Sequence, residues 1–191
     1  MKKIILASQS PRRKQLLEQA ELTFTIKTAH ANEDFPDDML AEYAPMFIAK
    51  NKAEAVFQTL NNEEKAGSII IAADTVVILD NKIIGKPQDE ADAAQILRKL
   101  SGQMHKVITA VVLQTAQGIE EIKDITEVHF LPITDAQISH YLKNYKPYDK
   151  AGAYAIQEWI GLIGIKKIDG DFYNVMGLPV SRVVAALDKY L

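Results

Sequence analysis

A long apolar segment interrupted by one carboxylate constrains the fold of this chain more than any other feature. The segment GSIIIAADTVVILD, residues 67–80, is rich in isoleucine and valine and predicts a long buried strand. DNK then turns the chain back into KIIGKP. Asp74 interrupts the apolar run, and an ionised carboxylate in such a setting is costly unless a cation or a metal pairs with it.

Helical patterns alternate with the predicted strands. Further strands are predicted at KIILA, at LTFTIK, at HKVITAVVLQT and IEEIKDITEVHFLPI as a pair about AQG, and at LIGIKKI and FYNVM as a hairpin about DGD. Helices are predicted after Ser10, over roughly 42–60, 89–100 and 134–143, and from Pro179 onward. Interleaved strands and helices with several hairpins favour an α/β fold, a mixed β-sheet with flanking helices, over a purely parallel one.

Length and charge exclude several classes of protein. A chain of 191 residues predicts a single domain over 1–191, or one domain with a small second lobe, and it can fold without disulfides. The absence of cysteine suits a reducing cytosol, so a cytoplasmic location is expected, and no segment has the ~20 apolar residues of a membrane helix. A net charge of -3 disfavours polymeric nucleic acid as a partner, so any anion site must be local.

The segment LASQSPRRKQLLEQ, residues 6–19, predicts an anion site. A strand, a tight polar turn and a helix start leave backbone N–H groups exposed, and Ser8 and Ser10 add hydroxyl donors. Arg12 and Arg13 lie in the first helical turn, where the helix dipole disfavours cations, yet they could bind phosphate oxygens as bidentate donors. The alternative is a pair of solvated arginines that tolerate a small dipole penalty.

Asp74 and Lys52 could each have a functional role or a purely structural one. An aspartate could simply bond to nearby backbone at a strand bend, and Thr75 beside it is ordinary in a strand. Lys52 shares a helical stripe with Ile48 and Val56, so it either reaches inward or extends its ammonium group back to water. Both alternatives remain open from the residues alone.

Two further residues extend the candidate site. Lys86 follows a predicted strand and precedes the stiff Pro87, although a surface turn lysine is an equally simple interpretation. Glu33 lies in an acidic loop that could be merely solvated. Glu33 and Asp74 beside a phosphate site would nevertheless suit Mg²⁺, which takes one or two carboxylates, waters and substrate phosphates. The four histidines lack ligand spacing, and no P-loop, dinucleotide motif or nucleophile elbow is present.

Six motifs spread along the chain resemble the Maf family of nucleoside triphosphate pyrophosphatases. They are LASQSPRRKQLL, AADTVVIL, GKPQDEADA, LSGQMHKVITAV, DKAGAYAIQ and GDFYNVMGLPV, in that order. The resemblance implies hydrolysis of a nucleoside triphosphate to the monophosphate and pyrophosphate with a divalent metal, Mg²⁺ or Mn²⁺. It also implies a mixed-sheet fold shared with inosine triphosphate pyrophosphatases, often as a homodimer.

The resemblance assigns roles by position. Asp74 matches the family's catalytic proton acceptor, and residues of the phosphate and metal pocket correspond to Ser8, Arg13, Glu33, Lys52 and Lys86. Three specificity positions match the branch that acts on dTTP and UTP, namely Arg12, Thr75 and Gln157. Ala155 replaces a common glycine, and a positive φ there would strain the loop that carries Gln157.

The implied mechanism places the triphosphate against the turn from Ser8 to Arg13, with a metal bridging it to Glu33 and Asp74. Asp74 then deprotonates or orients a water that attacks the α-phosphorus, and these two roles are not separated by the sequence. One rival interpretation is a non-catalytic nucleotide-binding regulator linked to septum formation. Another is a phosphatase that releases orthophosphate.

Overall fold

The computed structural model describes residues 2–190, which form seven strands and eight α-helices. The strands are β1 (Lys3–Leu6), β2 (Phe24–Ile26), β3 (Ser68–Leu79), β4 (Lys82–Ile84), β5 (Met104–Thr115), β6 (Gly118–Phe130) and β7 (Ile165–Asp169). The helices are α1 (Pro11–Gln19), α2 (Ala44–Gln58), α3 (Asn62–Gly67), α4 (Glu90–Leu100), α5 (Asp135–Tyr145), α6 (Trp159–Gly164), α7 (Phe172–Met176) and α8 (Val180–Leu187). No helix within this described range is long and apolar enough to cross a membrane.

The strands form a sheet of order β2-β1-β3-β5-β6-β7, with β4 paired to β3. β1 runs parallel to both β2 and β3, whereas β4 is antiparallel to β3 and β7 is antiparallel to β6. The predicted mixed sheet is therefore confirmed. The chain divides into two compact units, a first unit of residues 2–74, 109–124 and 177–190 and a second unit of residues 75–108 and 125–176.

In the first unit, α2 covers β1 and the first half of β3. Pro45 lies in the first turn of α2, where its missing N–H costs nothing, and small alanines let the helix approach the sheet. The buried cluster consists of Ile5, Ala7, Ala49, Ala53, Val56, Leu60, Ile70, Ala72, Ala110 and Val112. β1 ends at Leu6 opposite Ile71, and β3 continues to Asp74 in the same direction. The residues after β1 and the middle of β3 thus lie at one edge of the parallel strands.

In the second unit, α4 packs against α5 and against a 3₁₀ turn at Ala151–Ala153. Asp89 caps α4 by accepting from the Asp92 amide, as predicted. Thr134 and Gln137 form the predicted capping box of α5. His105, Phe130 and Tyr154 make an aromatic cluster in which each pair of rings meets edge to face. These contacts hold the irregular segment that follows α5.

The predicted hairpin of LIGIKKI and FYNVM is wrong. In its first half only residues 165–168 lie in a strand, β7, which pairs with β6 through Val128 and Ile168, whereas residues 162–164 end helix α6. FYNVM forms the helix α7. The Asp171 carboxylate accepts from the Tyr173 amide at 2.7 Å and so caps the helix start. The buried Asn174 amide donates to the Val107 carbonyl at 3.1 Å, a tertiary bond that outweighs the strand propensity of FYNVM. The helices α3 and α6 were also not predicted.

Candidate active site

The turn between β1 and α1 is organised around two serines and a buried arginine. Ser10 caps α1 by accepting from the Arg13 amide at 3.5 Å, and its own amide donates to Ser8 Oγ at 3.2 Å. Arg13 Nη1 donates to the same Ser8 hydroxyl at 3.2 Å, and Arg13 Nε donates to the Gly177 carbonyl at 2.8 Å. The guanidinium is therefore held in one orientation by groups from both ends of the chain.

Burial separates the two arginines of this turn. Arg13 is only 9% exposed, so the interpretation of two solvated arginines does not hold for it, whereas Arg12 is partly exposed. Burial lowers the pKa of Arg13, while the negative charge of Asp74 raises it. A buried guanidinium beside a carboxylate is costly to maintain for structure alone, so this edge of the sheet is a candidate functional site.

Lys52 joins two carboxylates in the same unit. Its Nζ lies 2.8 Å from Asp74 Oδ1 and 3.0 Å from Glu33 Oε1. The side chains of Lys52 and Asp74 are 19% and 15% exposed, whereas Glu33 is 59% exposed on its loop. The helical stripe of α2 thus directs Lys52 toward β3, and Asp74 is paired with a cation by its side chain.

The carboxylates offer donors suited to a hard divalent cation. Glu33 and Asp74 converge on one ammonium, which shows that a single positive charge fits between their oxygens. No group of three or more histidine, cysteine, aspartate or glutamate side chains with metal-binding spacing occurs among residues 2–190. Two carboxylates completed by water and phosphate oxygens fit Mg²⁺ or Mn²⁺ better than a metal that needs a full set of protein ligands.

The remaining predicted residues belong to the second unit. Thr75 follows Asp74 directly in β3 and is partly buried. Lys86 is exposed after β4, in a segment where the Gly85 carbonyl accepts from the Gly152 amide at 3.1 Å. Gln157 is exposed and lines a groove of about 490 Å³. The structure therefore brings five predicted residues together in the first unit: Ser8, Arg13, Glu33, Lys52 and Asp74.

The expected strain at Ala155 is not found. Positive φ occurs nearby at Gly152 and at Ala153, but Ala155 is not among the residues with positive φ. Sequence reasoning also missed Gly177, whose carbonyl fixes Arg13 across 164 positions of the chain. Its only signal was its place in the motif GDFYNVMGLPV. Every residue has a backbone carbonyl, so the type of residue at position 177 does not indicate that it binds Arg13.

A protein-family model and several similar proteins match nearly the whole chain. The family model described as Maf-like protein matches residues 3–190. A dTTP/UTP pyrophosphatase of Cytophaga hutchinsonii is 48% identical, over 97% of this chain and 83% of that protein. Proteins of the same name from Phocaeicola vulgatus and Flavobacterium psychrophilum are 48% and 45% identical, over 98% and 95% of this chain and 95% and 91% of theirs. The Staphylococcus aureus Ham1 protein matches with a TM-score of 0.43 and 17% identity, over 68% of this chain and 72% of that one.

Proposed function

The chain belongs to the Maf-like protein family, and on that premise we propose that it hydrolyses dTTP and UTP, or modified pyrimidine relatives, to the monophosphate and pyrophosphate. Such an activity removes unwanted nucleotides from the pool. The family model covers nearly all of both units, which supports treating the chain as one functional domain.

One observation carries the proposal most strongly: Asp74 is a largely enclosed carboxylate in an apolar strand, paired with Lys52 at 2.8 Å and close to the buried Arg13. A structural aspartate needs only one partner. Here two cations, Lys52 and Arg13, are shared with a second carboxylate, Glu33, and charges of both signs gathered at one place suit a ligand that carries several negative charges together with a divalent cation. A triphosphate has that character.

The cationic side chains of the candidate site would bind the phosphates. Ser8, Arg12, Arg13, Lys52 and Lys86 would bind the triphosphate oxygens and neutralise charge on the departing pyrophosphate. Arg13 is already oriented by Ser8 and Gly177, so it loses little freedom when an anion arrives. Electrostatic stabilisation by preoriented groups is the largest contribution to many reactions of this type.

Glu33 and Asp74 would hold a divalent cation, Mg²⁺ or Mn²⁺. The bound ion would supply charge neutralisation on the phosphates and acidify a bound water. Before an ion binds, Lys52 brings the two carboxylates together, since its Nζ lies 2.8 Å from Asp74 Oδ1 and 3.0 Å from Glu33 Oε1.

Asp74 orients or deprotonates the attacking water. The water oxygen forms a bond to the α-phosphorus while the bond from that phosphorus to the bridging oxygen breaks. The proton passes to the Asp74 carboxylate if Asp74 deprotonates the water, or to solvent if Asp74 only orients it, and in both cases the electron pair of the broken bond leaves with pyrophosphate. Gln157 suits a pyrimidine edge because its amide both donates and accepts, and Arg12 and Thr75 complete the specificity positions.

The test is a panel of dTTP, UTP, GTP, ATP and 7-methyl-GTP with Mg²⁺ or Mn²⁺, with products identified by phosphorus NMR. We expect monophosphate and pyrophosphate, with the pyrimidine nucleotides turned over fastest. Orthophosphate as the first product would make the chain a phosphatase, and nucleotide binding without turnover would favour the non-catalytic regulator.

Asp74→Asn provides the matched variant. It should lose turnover by about 10²–10⁴-fold while still binding nucleotide, because the amide keeps the shape but not the basicity. Asp80→Asn is the control, since Asp80 is exposed in the turn after β3 with a φ of 50° that asparagine tolerates. Its activity should equal that of the wild type.

A further inference from the structure

The segment that carries Gln157 is held by a buried tyrosine. Tyr141 on α5 is fully buried, and its hydroxyl accepts a hydrogen bond from the Ala155 amide at 3.1 Å. The same hydroxyl donates to a carboxylate oxygen of Glu158. Tyr141 therefore contacts both ends of residues 155–158, which we call the Gln157 turn, and Gln157 lies between its two contacts.

Other contacts restrict the same four residues. The Glu158 amide donates to the Ala155 carbonyl at 3.1 Å, which closes the turn on itself. Lys150 is nearly buried, and its Nζ lies 3.6 Å from the second carboxylate oxygen of Glu158 and 2.8 Å from Asp149. The Ala155 and Glu158 ends of the turn are thus held by several bonds, while the Gln157 side chain itself remains exposed.

The hydrogen-bond roles at Tyr141 are fixed by charge. Burial raises the pKa of Tyr141, and the neighbouring Glu158 carboxylate raises it further, so the phenol is protonated at neutral pH. A protonated phenol has one hydrogen to donate and lone pairs to accept with. Glu158 takes the hydrogen and Ala155 uses a lone pair, so the orientation of the hydroxyl is unique.

We propose that Tyr141 and Glu158 are positioning residues for base selection, because they fix the backbone on both sides of Gln157 and so aim its amide. The proposal rests on the proposed function, in which Gln157 reads the pyrimidine edge. Neither residue needs to touch the nucleotide. They act by removing alternative conformations of the Gln157 turn, and an amide held in one orientation selects a base edge better than a mobile one.

The first test is Tyr141→Phe, which leaves the Ala155 amide and the Glu158 carboxylate without their shared partner. We expect kcat/KM for dTTP to fall about tenfold, mostly through KM, while kcat/KM for GTP changes by less than about twofold. Tyr145→Phe is the matched control, because Tyr145 is partly exposed on the same helix and stacks on the Tyr141 ring at a centroid distance of 5.1 Å. It should keep the wild-type ratio of dTTP to GTP.

A double-mutant cycle with Gln157→Ala distinguishes positioning from general damage. If Tyr141 acts through Gln157, Tyr141→Phe has no further effect on dTTP selectivity once the Gln157 amide is gone. Equal losses in both backgrounds would overturn the inference. If Gln157→Ala by itself leaves the dTTP to GTP ratio unchanged, base reading by Gln157 is what fails.

Glu158 supplies a second pair of variants in case Tyr141→Phe does not fold. Glu158→Gln keeps an oxygen that accepts from the tyrosine and should retain most of the selectivity, whereas Glu158→Ala should lose it. Equal selectivity in these two variants, with melting temperatures near that of the wild type, would contradict the proposal.

Discussion

Lys52 Nζ on α2 lies 2.8 Å from Asp74 Oδ1 on β3, and both side chains are largely enclosed. The same ammonium lies 3.0 Å from Glu33 Oε1. An enclosed carboxylate is stable only while a cation accompanies it. Lys52 therefore offsets the cost of enclosing Asp74 in the absence of nucleotide, and its ammonium group is already in place when a triphosphate arrives.

Lys52→Met is expected to destabilise the protein by about 1–3 kcal/mol, because it removes the ammonium group that lies 2.8 Å from the largely enclosed Asp74 carboxylate. Activity on dTTP should fall at least tenfold. Urea unfolding monitored by circular dichroism and steady-state kinetics measure the two effects. The double variant Lys52→Met/Asp74→Asn should recover part of the lost stability, since it no longer buries an unpaired charge.

The control for this prediction is Lys50→Met. Lys50, which also lies on α2, forms an exposed ion pair with Glu121 of β6 at 2.7 Å. Such exposed pairs contribute little to the free energy of unfolding. Its free energy of unfolding should change by less than about 1 kcal/mol. If Lys52→Met and Lys50→Met had the same free energy of unfolding, the contact between Lys52 and Asp74 would not stabilise the fold.

Arg13→Lys tests the orientation of the buried guanidinium. An ammonium cannot bond to the Ser8 hydroxyl and the Gly177 carbonyl in the fork geometry of arginine, so we expect a loss of about 1–3 kcal/mol and a KM for dTTP raised about tenfold. Lys14→Gln is the control, because Lys14 is exposed on the next position of α1 and forms an exposed ion pair with Glu18 at 3.5 Å. Unchanged KM in Arg13→Lys would contradict a role in phosphate binding.

Most of the fold followed from local patterns. The apolar run through Asp74 predicted β3, and the capping signals at Asp89 and Thr134 predicted α4 and α5, because each of these signals is contained in a few neighbouring residues. FYNVM was assigned wrongly for the opposite reason. Its helix depends on Asn174 bonding to Val107, a contact 67 positions away that residue type does not encode.

The candidate site divides in the same way. Strand and helix patterns indicated that Asp74 lies in an apolar strand and that Lys52 lies on an inward stripe, so their approach could be anticipated. The partners of Arg13 could not be predicted in this way, because no sequence pattern indicates that Arg13 bonds to the Gly177 carbonyl or to the Ser8 hydroxyl. The contact of Tyr141 with Ala155 is similar, because a tyrosine on an amphipathic helix predicts only burial.

Gly161→Ala is expected to disrupt the start of α6. A Cβ at this position would lie 1.8 Å from the Ile156 carbonyl oxygen, so the backbone next to Gln157 must move. We expect a loss of about 1–3 kcal/mol in urea unfolding, with lower selectivity for dTTP over GTP. Gly67→Ala is the matched control, because nothing lies within 4 Å of its added Cβ at the end of α3, and it should be neutral or up to about 1 kcal/mol stabilising.

His105 makes stability depend on acid. The ring is almost fully buried between Phe130 and Tyr154, its Nε2 lies 2.7 Å from the Tyr154 hydroxyl, and its Nδ1 has no hydrogen-bond partner among residues 2–190. Burial, together with the smaller effect of the nearby His129, lowers the pKa of His105 to about 4. Its ordinary value is 6.5, so the unfolded chain takes up the proton first.

Because the unfolded chain is protonated first, the free energy of unfolding falls as the pH is lowered. Above pH 6.5 the ring is neutral in both states and costs nothing, whereas between pH 6.5 and 4 only the unfolded state is protonated and the free energy of unfolding falls by up to about 3 kcal/mol. We expect His105→Gln, which keeps a partner for Tyr154 but cannot become charged, to flatten this decline in urea unfolding between pH 7.5 and pH 4.5. The exposed His30→Gln should retain the wild-type slope. Parallel pH profiles for the wild type and His105→Gln would mean that the decline comes from the carboxylates alone.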